Sequence, residues 1–164
     1  MISRKDLRWF APVLLCITLF ECTHVDQSGE QKATSELREL EEEIHQLVNQ
    51  YRVSQQLPPL VTHEIITYYA RMHSRAMARG EVAFGHHGFP ERVEMISRFL
   101  TKNAAAENVA CNNETYSDCA RHAVQDWIGS SRHRQSINGD YVLTGVGVAA
   151  SPSGFYYFTQ IFWR

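Results

Sequence analysis

Ala104-Ala105-Ala106-Glu107-Asn108-Val109-Ala110 sets one carboxylate inside a run of small and apolar residues. An isolated buried charge is very costly, so a Glu in these surroundings is either partnered or protonated. The candidate partners are imidazoles. His86 and His87 lie upstream in Phe84-Gly85-His86-His87-Gly88-Phe89, and His133 lies downstream in Ser130-Ser131-Arg132-His133-Arg134. The plainer alternative is that Glu107 caps or braces a loop and the histidines are ordinary polar residues.

Working outward, the flanking segments fall into helices and then strands. Leu37, Leu40, Ile44, Leu47, Val48 and Tyr51 recur at helical spacing, which predicts a first helix from about Ser35 to the Pro58-Pro59 stop. Thr62 is the expected cap of a second helix running to Arg79 and ended by Gly80. His73 falls on its apolar stripe and reads as a satisfied core histidine. A third helix is expected over 91–100. Arg92 near its start is unfavourable to the helix dipole, which calls for an anionic partner; an exposed Arg is the commoner case. A fourth helix is expected over 118–131, with Ala120, Ala123, Val124 and Trp127 inward. The tail changes period. Residues 144–150 and 155–163 are rich in β-branched and aromatic side chains, and Ser151-Pro152-Ser153-Gly154 between them predicts a hairpin. Helices followed by an antiparallel sheet give an α+β class.

A length of 164 residues fits one domain, and 44% hydrophobic residues supply an ordinary core. The net charge of −2 gives no electrostatic case for nucleic acid or an anionic membrane surface. Arg4, Lys5 and Arg8 precede the uncharged run Trp9 to Phe20, the pattern of a targeting segment and short for a membrane span. Residues 1–22 are therefore expected to be a signal, and the protein extracytoplasmic: secreted, periplasmic or anchored to the cell envelope. No small-x-small cleavage site is evident. Cys22 stands where a lipoprotein signal would end, although Glu21 fits poorly before it. Cleavage, lipid attachment at Cys22 and an uncleaved anchor stay open. Residues 23–34 read as a polar linker, leaving 35–164 as the domain. Cys111 and Cys119 flank a polar stretch. In an oxidising compartment a disulfide between them would add about 2–3 kcal/mol; the alternative is two reduced thiols. No CxxC spacing supports a zinc ribbon.

Taken together, these pieces resemble the CAP superfamily of cysteine-rich secretory proteins, venom antigen 5 and pathogenesis-related proteins, in its bacterial SCP-domain form. The resemblance rests on Asn49-Gln50-Tyr51-Arg52, Leu57-Pro58-Pro59-Leu60, residues 70–78, Phe84-Gly85-His86 with Arg92, and Glu107-Asn108-Val109. It continues through Trp127, Ser130 and His133-Arg134, Gly145-Val146-Gly147-Val148, and Phe158-Thr159-Gln160-Ile161-Phe162-Trp163. It implies an α-β-α sandwich with a central antiparallel sheet, and a cleft lined in animal and plant members by two His and two Glu. His86 matches the first His and Glu107 the first Glu. Ser130 stands where the family has a second Glu, and Tyr157 where it has a second His. His133, in the Ser-x-x-His-Arg arrangement of bacterial members, is expected to bring an imidazole to the same cleft.

Three functions are expected from this set of residues. The first is binding of a small molecule, lipid or partner protein by His86, Glu107, Ser130, His133 and Tyr157. The second is a zinc site made by His86, Glu107 and His133. The third is hydrolysis with Glu107 as base and His86 or His133 as acid, although no activated nucleophile is evident and no catalytic residue is assigned. The expected chain is a monomer, tied to membrane only through its N-terminal signal or a lipid.

Overall fold

The computed structural model describes residues 27–164, with side chains from residue 31 onward. The expected signal at 1–22, Cys16 and Cys22, and residues 23–26 of the expected linker lie outside the described residues.

Helix α1 (Gln27–Ser54) buries Leu40, Ile44 and Val48 along one face. It starts eight residues before Ser35, so most of the expected linker is helical. Residues 31–35 are all exposed, and no apolar stripe announces those turns. They carry local pairs instead, Lys32 with Glu36 at 3.9 Å and Ser35 with Glu39 at 3.5 Å. Strand β1 (Val61–Thr62) takes up the expected cap Thr62. Helix α2 (Glu64–Ala78) is capped one residue later, by the His63 side chain accepting from Ile65 N–H at 3.2 Å. Helix α3 (Phe89–Ser97) follows, with Pro90 in its first turn.

The stretch around Glu107 is strand β2 (Ala105–Asn112), not a loop. The expected fourth helix is two helices, α4 (Tyr116–Gly129) and α5 (Ser131–Ile137). They part at Ser130, whose φ −85° and ψ 122° are extended. The hairpin is present as β3 (Leu143–Ala150) and β4 (Tyr156–Trp163).

The sheet order is β1-β3-β4-β2. The β2–β4 and β3–β4 pairs are antiparallel, as expected. The two-residue β1 adds to β3 in parallel, so the sheet is mixed. Side chains alternate across it. One face meets α1, α4 and α5 through Val146, Val148, Phe158 and Phe162. The other meets α2 and α3 through Ile161 and Trp163. The result is a helix–sheet–helix sandwich of α+β class.

The Gly145-Val146-Gly147-Val148 pattern now has a physical reason. A Cβ on Gly147 would lie 2.2 Å from the Arg71 backbone N, and one on Gly145 2.2 Å from that of Thr67. Glycine on this face lets α2 lie directly against β3, while both valines enter the opposite core.

Candidate functional site

Glu107 lies on β2 at the end of the sheet order, on the face turned toward α2 and α3. Its side chain is 1% exposed and fully engaged. Arg92 of α3 grips it as a fork: Nε donates to Oε2 at 3.0 Å, and Nη2 donates to Oε1 at 2.9 Å and Oε2 at 2.7 Å. His86 Nδ1 lies 3.0 Å from Oε1. A carboxylate only accepts, so this ring carries its proton on Nδ1. In the neutral ring Nε2 is then an acceptor, on a side chain that is 43% exposed.

The loop that presents His86 is built for the purpose. Gly88 caps α3 with φ +72°, a left-handed conformation that suits glycine. Arg92 Nη1 donates to His87 O at 2.7 Å, so one guanidinium holds both the carboxylate and the loop. From beneath, His73 Nε2 donates to Gly85 O at 2.7 Å. His73 is the satisfied core histidine expected on the α2 stripe. Burial pushes its pKa down, and Arg92 and His86 add to that against the Gly85 bond and Glu107.

His133 of α5 is half-buried. Burial lowers its pKa first; the nearby charges of His86 and Arg132 lower it further. The two imidazoles named from the sequence thus lie within electrostatic reach of one another. His133 is held through its main chain, because Asn108 Nδ2 donates to His133 O at 3.1 Å.

Neither Ser130 nor Tyr157 makes a side-chain hydrogen bond to Glu107, His86 or His133 among the described contacts. Ser130 is the half-buried joint between α4 and α5, with no side-chain capping bond. Tyr157 pairs in register with Cys111, whereas Glu107 pairs with Ile161. Tyr157 is four residues from Ile161, roughly 13 Å along the strand, and its side-chain partner is the Cys111 thiol. Among the described residues no three His, Cys, Asp or Glu side chains are grouped to hold a metal. The His86, Glu107 and His133 set is therefore not assembled as a three-ligand centre, because Arg92 and His86 already occupy the carboxylate.

The expected Cys111–Cys119 bridge is not made; both thiols are free. Strand alternation is the cause. Ala110 enters the α1/α4 core, so its neighbour Cys111 faces the opposite side with Tyr157. Cys119 is buried within the α1/α4 core. Sequence reasoning also passed over Asn108. Its signal was its place beside Glu107, since strand neighbours must serve opposite faces. Arg92, by contrast, was flagged by its poor position in the helix dipole.

Comparison with known proteins agrees with this architecture. A family model described as the cysteine-rich secretory protein family, CAP, matches residues 45–162. An extracellular SCP-domain protein of Bacillus anthracis is similar in structure: 25% identity, TM-score 0.66, covering 82% of this chain and 43% of that one. An outer surface protein of Borrelia burgdorferi gives 16% identity, TM-score 0.63, and 77% and 92% coverage. A cysteine-rich secretory protein of Staphylococcus aureus gives 19% identity, TM-score 0.60, and 85% and 40% coverage. At their identities the latter two speak for the fold alone. The chain spans less than half the length of the Bacillus and Staphylococcus proteins. No match was found among curated protein sequences.

Proposed function

Since the chain belongs to the CAP, or cysteine-rich secretory protein, family, we propose that it is an exported binding protein whose ligand is taken at His86 and His133. The observation behind this reading is the saturated Glu107 carboxylate. Two partners already hold it, so it serves to orient His86. What it leaves for a ligand is the Nε2 lone pair of a half-exposed ring, coupled to a second imidazole whose pKa burial lowers. Such a pair suits a group that offers hydrogen-bond donors, such as a hydroxyl, an amide N–H or an ammonium. A small molecule, a lipid headgroup or a partner protein carries these equally well. Native mass spectrometry of the protein purified from its own host tests the proposal. A bound mass present in the wild type and lost in His86→Leu is expected. No bound mass in either, with no protein partner recovered by cross-linking, would sink it.

Export is part of the same reading. It is supported by the basic, then apolar N-terminus and by the similarity to an extracellular SCP-domain protein. Cell fractionation that finds the intact chain in the cytoplasm would contradict it.

A divalent metal is the second reading. It is favoured by the electrostatic coupling of His86 and His133, which lowers the His133 pKa. Two imidazoles would hold such an ion, with its remaining ligands supplied by solvent. Titration calorimetry with zinc chloride separates the two readings. The metal reading requires saturable binding that is lost in both His86→Leu and His133→Leu.

A further inference from the structure

Both site imidazoles stand on segments that are fastened from behind through a main-chain carbonyl. His86 follows Gly85, whose carbonyl accepts from His73 Nε2 at 2.7 Å. His133 itself offers the carbonyl that accepts from Asn108 Nδ2 at 3.1 Å. The two donors come from different elements, α2 and β2, and both are buried, His73 to 3% and Asn108 to 0% exposure. We infer that His73 and Asn108 are positioning residues, each setting one of the two imidazoles of the site: His73 sets His86, and Asn108 sets His133.

The chemistry of each contact supports the assignment. A carbonyl can only accept, so His73 must carry its proton on Nε2. That bond ties α2 to the loop one residue before His86. Among the described hydrogen bonds, no other α2 side chain reaches residues 85–88. Asn108 spends its donor on α5, while its Oδ1 has no partner among the described residues. An amide buried with an idle acceptor is retained at a penalty, so the bond to His133 is its evident use. Strand alternation completes the picture. Glu107 reaches one face and orients the His86 ring, while the adjacent Asn108 reaches the other face and fixes α5. One dipeptide of an edge strand therefore governs both imidazoles.

The inference deepens the binding proposal and rests on the same site, but its test needs no ligand. The ¹³C–¹H ring resonances of His86 and His133 are followed by NMR in the full exported chain, together with their rates of modification by diethyl pyrocarbonate. His73→Leu is expected to shift the His86 signals and raise its modification rate several-fold, leaving His133 in place. Asn108→Leu is expected to do the same to His133 and spare His86. His73→Gln, whose amide N–H sits where Nε2–H did, is expected to restore the His86 signals. Should the Leu variants fail to fold, His73→Gln against His73→Asn and Asn108→Ser carry the same contrast in milder form. The inference is overturned if the variants lose stability while both rings keep their signals and rates, or if either variant disturbs both rings alike. A site that binds nothing by mass spectrometry, yet gives this crossed pattern, would defeat the binding proposal alone.

Discussion

Two buried glutamates brace the same sheet with the same kind of bond and serve different ends. Glu107 on β2 and Glu41 of α1 are each 7% exposed, and each is gripped by an arginine fork. The Arg71 Nη2–Glu41 Oε2 contact is 2.5 Å, against 2.7 Å for Arg92 Nη2–Glu107 Oε2. The second partner differs. Glu41 accepts from Val148 N–H at 3.2 Å, where β1 has run out and the β3 edge would lack a neighbour. It acts as a plug for that edge, beside a concavity of about 680 Å³ lined by Arg38, His63 and Tyr68 among others. Glu107 has an imidazole as its second partner, half open to solvent. A buried ion pair is therefore weak evidence of a site by itself. A group that can still bind something marks the site, and of these two buried clusters it is the Glu107 one that turns an imidazole outward from its carboxylate.

The two regions differ most when the acid is removed. Glu107→Ala leaves Arg92, 12% exposed, without its partner, and is expected to cost about 3–5 kcal/mol in urea unfolding. Glu41→Ala leaves Arg71, 32% exposed and able to turn to water, with a loss of about 1–3 kcal/mol from the unpaired Val148 N–H. Equal losses, or a greater loss at Glu41, would break the distinction.

Helix α2 joins the two regions, because it carries both Arg71 and His73. Gly147→Ala drives a methyl into its backbone at Arg71 and is expected to destabilise by about 1–3 kcal/mol. A neutral effect would mean that α2 can retreat freely, and neither region would then depend on its closeness.

The regions should also differ in their response to acid. His73 and His133 are held below their ordinary value of 6.5. Below pH 6.5 the unfolded chain binds protons that the folded chain refuses, so stability falls with pH until the folded pKa is reached. Each group contributes a slope of up to about 1.4 kcal/mol per pH unit. His73→Gln should remove one group's share. Arg71 adds no such slope, since its hydrogen bond to Glu41 raises its pKa and keeps it charged throughout. An undiminished slope in His73→Gln would contradict this. The smallest expected effect is that of reductant. Cys111 and Cys119 are free, so dithiothreitol should leave stability unchanged, and both thiols should alkylate in urea without prior reduction.

Much of this was legible in the sequence because burial writes a period. The core stripes of α1, α2 and α4 and the β3–β4 hairpin follow from spacing alone, as does the need of Glu107 for a partner. His86, His87 and His133 stood out as candidate partners, and motifs in family order singled out His86 and His133. What was not legible depended on direction. A two-residue strand has no period, so β1 was invisible. The first turns of α1 bury nothing. The break at Ser130 is one backbone angle inside a continuous helical pattern. Cys111 and Cys119 are close in sequence, but Cys111 sits on a strand that small residues disguise, and it faces away from the core that holds Cys119. The same disguise hid Asn108.

The central claim is that Glu107 fixes the His86 ring with the proton on Nδ1 and a free Nε2. Long-range ¹H–¹⁵N NMR of the ring, at a pH where it is neutral, reads the tautomer directly. The account predicts the Nδ1–H form in the wild type and a redistribution toward Nε2–H in Glu107→Gln. An Nε2–H tautomer in the wild type, or the same tautomer mixture in both proteins, would contradict it.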